Sequence, residues 1–566
     1  MHMTGTAPAA APGPQSAPGD GPAGDQITHA DGRVELAEGA IPDGGRYTND
    51  DLRPVPLAQR RWTTYNFAAV WIGMAHNIPS WLLASGLVAL GMDWKQAVFT
   101  IALANVIVLL PMLLTGHAGP KYGIPFPVFA RASFGVRGAN LPAMIRAAVA
   151  CCWFGIQTWI GGQGIFILLG KLFGGWKDAS QIGGQPWTLW VCFLLFWALE
   201  LAIIYRGMEA LRRFENWAAP FVIVGAFVLL IWMAVKAGGF GPLLDQPSEL
   251  GWGVEFWPVF FPALMGMIAF WSTLSLNIPD FTRFGAGQRA QVWGQSLGLP
   301  TTMTLFALLS VFVTAGSQAV YGATIWDPVE LAAKTDNVFG LLFALITVLV
   351  ATISVNIAAN VVSPAYDLAN LAPRFINFRT GALVTGVVGV VIMPWKLTET
   401  PELYIYTWLG TVGGLLGTVA GILIADYWLL RRTRLLVADL YREGGAYWYG
   451  SGWNWRALAA FAGGGLLAVG GSWSAPGKGP FPADGLIPFL KPLADYGWAV
   501  GMASSLLLYV ALTRAVPPES PATEPPDGSV AEPQAVPQQG SAAEPSDGSV
   551  AEPQQPAAGE GAAGER

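Results

Sequence analysis

An apolar run over residues 67–90 is long enough to cross a lipid bilayer, yet it is interrupted in its middle. An imidazole, an amide and a proline stand within the four positions from His76 to Pro79. Proline removes a backbone donor and crowds the carbonyl one turn earlier, which predicts that the helix opens near residues 75–77. Opened backbone inside hydrocarbon needs a cavity or protein groups to satisfy it. The run therefore predicts a broken membrane helix at a substrate or ion site, the alternative being a kinked helix whose His76 and Asn77 bond neighbouring helices.

Eleven further apolar runs place the chain among polytopic membrane proteins. Of the 566 residues, 53% are hydrophobic and only 12% are charged, whereas about a quarter of a soluble protein is charged. We predict an all-α fold with twelve transmembrane helices, which lie at about 67–90, 96–116, 140–170, 187–206, 214–236, 257–278, 295–317, 338–362, 382–395, 402–429, 456–472 and 494–513. These helices form one transporter domain over residues 47–514.

Both ends of the chain differ in composition from this domain. Residues 1–46 are rich in Ala, Gly and Pro and lack periodic apolar positions, so we predict a disordered N-terminal tail. Residues 515–566 are rich in Pro, Glu and Ala, and the segment 524–533 recurs at 544–553 with few changes. Such a composition cannot build a core and predicts a disordered C-terminal tail, either inert or bound by a partner.

The distribution of basic residues orients the predicted helices. All arginines in the predicted loops fall on the side that also carries both termini, whereas the basic residues of the opposite loops are all lysines. The positive-inside rule therefore predicts that both termini are cytoplasmic and that the protein lies in the cell (inner or plasma) membrane. No removable signal peptide and no basic patch for nucleic acid are evident. The three cysteines lie in apolar runs and indicate neither disulfides nor a metal site.

The third predicted helix carries a pair of residues suited to a flat polar ring. Trp153 and Gln157 are four positions apart and share one helix face. A ring can stack on the indole while the carboxamide pairs with its N–H and C=O groups. Trp271, in the sixth helix, could close the other face of that ring, and the polar residues that follow it allow a local helix break. The alternative is ordinary packing of these aromatic side chains between helices.

The eighth predicted helix contains two amides, Asn356 and Asn360, on one stripe. Buried amides are costly unless they are paired, so at least one should line a cavity. We choose Asn360, because the small residues beside it let a ligand or another helix approach, whereas Asn356 could join helices. Nothing resembles a phosphate-binding loop, a metal-ligand cluster or a nucleophile with its base. We therefore predict no cofactor and no enzymatic activity.

Other polar features near the predicted membrane boundaries receive structural interpretations. The segment 117–128 contains too many glycines and prolines for a helix and is either a re-entrant cover or a loop. Asp280 and Arg283 are predicted to form an interfacial ion pair or a helix cap. Arg146 and Glu200 are predicted to be paired or to extend towards the membrane surface.

Together these residues resemble the nucleobase:cation symporter-1 family, in order from about Arg46 to Arg514. The matching patterns are His-Asn-Ile-Pro at 76–79, the segment 153–159, Asn-Ile-Pro-Asp-Phe-Thr-Arg-Phe at 277–284 and Ile-Ser-Val-Asn at 353–356. Within this family the chain looks most similar to the bacterial allantoin permease branch. The resemblance implies a LeuT-type core, in which helices 1–5 and 6–10 are inverted repeats, helices 1 and 6 are broken, and two helices are peripheral.

The resemblance also implies the roles of particular residues. Trp153 and Trp271 would sandwich the substrate, and its edges would contact Asn77, Gln157 and Asn360. A sodium site would use backbone carbonyls and hydroxyls at positions corresponding to Gly73, His76, Ala351, Ser354 and Val355. Valine in place of a hydroxyl ligand weakens such a site, so we predict proton rather than sodium coupling. His76 is a candidate proton carrier, the alternative being a neutral, hydrogen-bonded imidazole.

The sequence thus predicts a secondary active transporter that imports a small, neutral, planar ureide or amide ring by alternating access. Allantoin is the favoured substrate, followed by hydantoin or uracil, and cytosine, purines or thiamine are alternatives. The expected partners are this substrate, a proton or sodium ion and the lipid bilayer, and the protein is expected to be monomeric. Rivals from other classes are a gated pore, which would need continuous polar rings, and a ligand-sensing receptor, which would need an output domain.

Overall fold

Helices supply nearly all the regular structure between residues 64 and 514. The computed structural model describes residues 25–41, 44–206, 208–334, 337–393, 395–396 and 399–515, so nearly all of the predicted C-terminal tail lies outside it. The main helices are α1 (Thr64–Ala75), α2 (Ile78–Ala89), α3 (Trp94–Gly116), α4 (Ala118–Tyr122), α5 (Phe126–Phe134), α6 (Asn140–Leu172), α7 (Trp187–Arg206), α8 (Met208–Lys236), α9 (Phe256–Phe270), α10 (Ser272–Asn277), α11 (Gln288–Tyr321), α12 (Pro328–Ala333), α13 (Val338–Asn360), α14 (Val362–Leu371), α15 (Phe378–Val391), α16 (Leu403–Leu430), α17 (Trp455–Val469) and α18 (Gly497–Arg514). Short helices lie at Gly241–Leu244, Pro279–Thr282 and Lys491–Ala494.

Each of the twelve predicted spans contains an apolar helix. Among the described residues, six helical segments are long and apolar enough to cross a membrane by themselves, and α18 with the short helix before it forms a seventh candidate bent by 98°. The remaining spans correspond to shorter apolar helices within α2, α8, α9, α15 and α17. Large apolar side chains on the outside of the bundle, such as Leu195 on α7 and Ile231 on α8, are exposed. An apolar exterior of this extent is what a lipid environment requires.

The first predicted span is broken where the sequence indicates. Helix α1 ends at Ala75 and α2 begins at Ile78, with His76 and Asn77 between them. The sixth span is broken as well, because α9 ends at Phe270, α10 begins at Ser272, and Trp271 adopts a non-helical backbone conformation with φ −97° and ψ 4°.

The two broken spans lie among the helices that carry the other candidate residues. Helix α1 packs against α11 and α13, and α6 packs against α7, α13, α14 and α15. Helix α9 packs against α3 and α16, while α16, α17 and α18 pack together. The break in α1–α2, the middle of α6, the break in α9–α10 and the end of α13 are therefore the elements that position the site.

The N-terminal segment contains structure that the sequence analysis misses. Strands β1 (Gln26–Thr28) and β2 (Val34–Leu36) form an antiparallel hairpin, and a second small hairpin pairs β3 (Gln181–Ile182) with β4 (Gln185–Pro186). The side chain of Gln26 bonds the backbone of Leu435 and Val437, and Arg442 pairs with Asp25 at 2.7 Å. The prediction of disorder for residues 1–46 is therefore wrong for 25–41 and 44–46, while residues 1–24 lie outside the described residues.

The segment 117–128 is also more ordered than predicted. It contains all of α4 and the start of α5, and Gly123 joins them with a left-handed φ of 73° that only glycine adopts at little cost. A Cβ on Gly119 would collide with Thr282, so the small residues in this segment allow close helix packing. The prediction that this segment contains too many glycines and prolines to form a helix is therefore wrong.

Candidate substrate and cation site

Trp153 lies in the middle of α6 and is only 6% exposed. Its indole meets three aromatic rings edge-on: Phe270 at 5.2 Å, Tyr404 at 6.0 Å and Trp408 at 6.2 Å between ring centroids. Edge-to-face contacts of this kind fix the orientation of a ring more strictly than apolar burial alone. The side chains of α9 and α16 therefore hold the indole of Trp153 in a defined plane.

Trp271 occupies the break between α9 and α10 and belongs to the same aromatic cluster. Its ring lies 4.9 Å from Phe270 and 5.2 Å from Trp71, in both cases nearly perpendicular. Phe270 thus contacts both predicted tryptophans, a role that the sequence analysis misses. Its position directly before Trp271 at a helix break is the signal that could have identified it. The two tryptophans are brought together through this phenylalanine.

Three polar atoms in or beside this cluster lack hydrogen-bond partners among the described residues, and they belong to Gln157, Trp271 and Trp408. Gln157 is 3% exposed, and its side chain bonds no described residue; its Oε1 atom is fully buried. The Nε1 atom of Trp271 is likewise buried without a partner. A buried donor or acceptor left unsatisfied costs about 1–3 kcal/mol, so native proteins rarely keep one without a reason. An acceptor and a donor of this kind match a ligand that offers both N–H and C=O groups.

Asn77 holds the two halves of the first broken span together. Its Nδ2 donates to the carbonyl of Met74 at 2.6 Å, and its Oδ1 accepts from the backbone N–H of Ser80 at 2.7 Å. It therefore caps the start of α2 and satisfies a carbonyl near the end of α1. The family resemblance predicts a ligand contact at Asn77, and the structure adds a role in stabilising the break. One amide hydrogen remains for a ligand.

Asn360 begins a chain of polar side chains that crosses three helices. Its Nδ2 donates to Oδ1 of Asn356 at 2.9 Å, and this is the only hydrogen bond of its side chain to a described residue. Nδ2 of Asn356 in turn lies 2.8 Å from Oε1 of Glu200 on α7 and 3.1 Å from the carbonyl of Phe154 on α6. Oε2 of Glu200 lies 2.7 Å from Oγ1 of Thr158. Asn356 therefore does join helices, as the sequence analysis allows.

Glu200 itself departs from its prediction. The carboxyl group is fully buried, so it does not extend towards the membrane surface, and it forms no ion pair with a described residue. Both of its oxygens are bonded instead by neutral side chains. Arg146, for which the same prediction was made, is paired, with Asp367 at 3.4 Å.

Of the two interpretations given for Asp280 and Arg283, the ion pair does not form, whereas the helix cap is confirmed for Asp280. Oδ1 of Asp280 accepts from the backbone N–H of Phe126 at 2.8 Å and so caps α5 from a neighbouring element. Arg283 donates to the backbone carbonyl of Asp51 at 3.0 Å, and its guanidinium lies 4.9 Å from the ring centre of Tyr366. Asp280 therefore bonds the start of α5, and Arg283 bonds the segment that precedes α1.

The residues proposed for the cation lie around the break in the first span and the facing part of α13. Nδ1 of His76 lies 2.6 Å from the carbonyl of Ile72, so this nitrogen carries a hydrogen, and the ring packs edge-on against Phe306 at 5.0 Å. The α-carbon of Gly73 faces open space, and the hydroxyl of Ser354 bonds no described residue. These features agree with the alternative of a neutral, hydrogen-bonded His76.

A cavity of about 120 Å³ reaches this region. It is bordered by His76, Asn77 and Ala351, and by apolar side chains of α8, α11 and α13. Trp153, Gln157, Trp271 and Asn360 are not part of its wall. The cavity therefore joins one of the candidate substrate residues to two of the candidate cation residues, while the aromatic cluster lies beyond it.

Comparison with known proteins identifies similar chains. Residues 54–501 match the model of a family described as permeases for cytosine/purines, uracil, thiamine and allantoin. The allantoin permease of Bacillus subtilis is 44% identical over 488 residues, which cover 85% of this chain and 96% of that protein. The purine-uracil permease NCS1 of Arabidopsis thaliana is 42% identical and covers 75% of this chain and 71% of its own length.

A solved structure shares the fold. Mhp1, a nucleobase-cation-symport-1 family transporter, in a closed conformation with bromovinylhydantoin bound, superimposes with a TM-score of 0.67 and 26% sequence identity. The match covers 83% of this chain and 96% of Mhp1. Both broken spans lie within the residues that match the family model.

Proposed function

The chain belongs to the nucleobase:cation symporter-1 family of membrane transporters, and on this premise we propose that it imports allantoin. Hydantoin and uracil are the next candidates, and cytosine, purines or thiamine are weaker alternatives. The LeuT-type fold carries a substrate by rocking helix groups around a central site, so transport proceeds by alternating access. No chemical change of the substrate is involved.

One observation supports the proposal most strongly, namely the unpaired Oε1 of Gln157 and Nε1 of Trp271 beside two edge-fixed tryptophans. Allantoin is a neutral ureide whose ring presents alternating N–H and C=O groups around its edge. The indoles of Trp153 and Trp271 would cover its faces, and the amides of Gln157, Asn77 and Asn360 would bond its edge. Each such bond contributes about 0.5–1.5 kcal/mol. The hydrogen bonds to the edge of the ring therefore distinguish between substrates whose faces bind the two indoles equally well.

We expect saturable uptake of labelled allantoin that unlabelled hydantoins and uracil reduce more strongly than cytosine or purines do. The reason is that hydantoins and uracil present the N–C=O units of a ureide, whereas cytosine and purines replace some of them with ring nitrogens and amino groups. Initial rates in cells that express the protein would be measured against this panel, with cells carrying an empty vector as the control. Flux that fails to saturate would favour a gated pore, and purines as the strongest competitors would contradict the proposal.

For the coupling ion we propose a proton. The position that the family resemblance assigns to a sodium-binding hydroxyl holds Val355, and sodium prefers hard oxygen ligands. A site that lacks one such oxygen binds sodium more weakly, and uptake then depends on protons instead. The protein would accordingly respond to an acid-outside gradient more than to sodium. Both termini are proposed to be cytoplasmic, in a monomer within the plasma or inner membrane.

Replacing Val355 with threonine is expected to introduce or increase sodium stimulation of uptake, because threonine has nearly the same shape and adds the missing hydroxyl. Uptake by the variant and by the wild type would be compared across sodium concentrations at fixed pH. A matched control is Val350→Thr, since Val350 lies on the same helix but packs against Val222 on α8. Strict sodium dependence of the wild type would contradict the coupling proposal.

A further inference from the structure

Glu200 is an acidic residue inside the largely apolar helix α7, and it belongs neither to the proposed substrate contacts nor to the proposed cation site. It lies on α7 six residues before the last residue of the helix, Arg206, and its side chain is fully buried. Burying a carboxyl group in a membrane protein is expensive, and such residues commonly take part in proton or ion pathways. The groups around Glu200 determine whether its carboxyl group can bind and release a proton.

We propose that Glu200 is a proton-binding site whose occupancy is transmitted to the substrate site through Asn356 and Asn360. The proposal rests on the proposed function, because it names the group that would carry the coupling proton. It assigns the proton to a carboxyl group bonded by Thr158 and Asn356.

The hydrogen bonds around Thr158 are the first support. Its single hydroxyl hydrogen has two acceptors within reach, the carbonyl of Phe154 at 2.8 Å and Oε2 of Glu200 at 2.7 Å. A hydroxyl donates only one hydrogen, although it accepts others. When the hydroxyl donates to Phe154, the short contact with Glu200 requires that the carboxyl group carries the proton and donates it. When Glu200 is a carboxylate, the hydroxyl turns and donates to it instead.

Both protonation states can therefore be satisfied without moving a heavy atom. Asn356 has two amide hydrogens, which reach Oε1 of Glu200 and the carbonyl of Phe154 in either state. The proton is exchanged with water, so that a hydronium ion and the carboxylate give the carboxyl group and a water molecule, and the reverse step releases it. A group that merely stabilises the helices would not need surroundings that serve both forms.

The second support is that no described residue supplies a counter-ion to Glu200. Helix α7 packs against α6, α8, α13 and α15. The titratable or charged residues on these helices and on α7 are Arg146, Cys151, Cys152, Lys171, Cys192, Tyr205, Arg206, Lys236 and Arg379, together with residues of the segment 208–216, whose side chains lie outside the described ones. Among the described residues none forms an ion pair with Glu200, and Arg146 is held by Asp367. A buried carboxylate without a cation is costly, which favours proton binding.

The third support is the connection to the candidate substrate site. Ionising Glu200 makes the bond from Asn356 charge-assisted and stronger. The opposite end of the same amide, Oδ1, accepts from Asn360, which the proposed function places at the edge of the substrate. A change in the charge of Glu200 therefore reaches Asn360 through two hydrogen bonds, and Thr158 is the sequence neighbour of Gln157.

Glu200→Gln keeps the shape and hydrogen bonds of the residue but cannot exchange a proton. In proteoliposomes that contain the purified variant, we expect labelled allantoin still to exchange across the membrane by counterflow. Accumulation of allantoin driven by an acid-outside gradient should be completely lost. The pH dependence of allantoin binding should be lost as well. The matched control is Glu402→Gln, which makes the same change in a partly exposed carboxyl group near Lys478 and should retain accumulation.

Accumulation by Glu200→Gln equal to that of the wild type would overturn the inference, as would accumulation by the wild type that only sodium drives. Failure of the wild type to bind or exchange allantoin or any ring of the panel would instead contradict the proposed function. Infrared spectroscopy of the full-length protein decides the inference even then, and also if Glu200→Gln does not fold. We expect a protonated-carboxyl C=O band in the wild type that shifts in Thr158→Val. The absence of this shift would overturn the inference.

Discussion

Replacing Trp153 with alanine is expected to abolish saturable allantoin uptake while the protein remains folded. The indole is held edge-on by Phe270, Tyr404 and Trp408, so no neighbouring ring can take its place against a substrate. Truncation of a central aromatic contact commonly costs about 2–4 kcal/mol in binding, or roughly 30- to 700-fold in affinity. Initial uptake rates across allantoin concentrations, with calorimetric binding to purified protein, would measure the loss.

The same helix supplies a matched control for this variant. Trp159 is buried six residues further along α6, but it stacks on Trp395 at 4.9 Å, away from the aromatic cluster of Trp153. Trp159→Ala should lower the melting temperature in detergent and leave the allantoin affinity nearly unchanged. Gln157→Ala is a second test variant. It removes a hydrogen bond to the edge of the substrate and should lower the allantoin affinity about tenfold or more. Normal affinity in both Trp153→Ala and Gln157→Ala would refute the site.

The break in the first span could be predicted because its cause is local. Pro79 lacks a backbone donor, and His76 and Asn77 are polar residues that a continuous apolar helix would not need. The break and the cap at Asn77 follow from residues within one turn of each other. The twelve apolar runs are equally local, since each is a stretch of composition and length. These parts of the fold require no knowledge of which helices meet.

The contacts between helices could not be predicted in the same way. Glu200 and Asn356 are 156 positions apart, and nothing in either neighbourhood indicates that α7 and α13 meet at these residues. Phe270 is one of 29 phenylalanines, and its contact with both tryptophans depends on how α6 and α9 pack. The N-terminal hairpin could not be predicted for a related reason. Its stability comes from distant partners, such as Leu435, rather than from its own apolar pattern.

Arg146→Met is expected to destabilise the folded protein strongly. Arg146 and Asp367 form an ion pair at 3.4 Å in which the side chains are only 1% and 0% exposed. Removing one partner leaves an uncompensated buried charge, and such changes cost about 3–5 kcal/mol. The pair joins α6 to α14, so its loss also weakens the contact between these helices. The melting temperature of purified protein in detergent would be measured with and without allantoin.

The double variant Arg146→Met with Asp367→Leu distinguishes a charge effect from a packing effect. If the uncompensated carboxylate causes the loss, removing it should restore a large part of the stability, because apolar residues of similar volume often replace a buried ion pair at little cost. A matched control is Arg46→Met, since Arg46 pairs with Glu443 at 3.3 Å but both side chains are more than half exposed. An exposed pair of this kind contributes about 0–1 kcal/mol, so its loss should hardly change the melting temperature. Equal destabilisation by the single and double variants at the buried pair would show that the length of the arginine side chain, rather than the charge of Asp367, determines stability there.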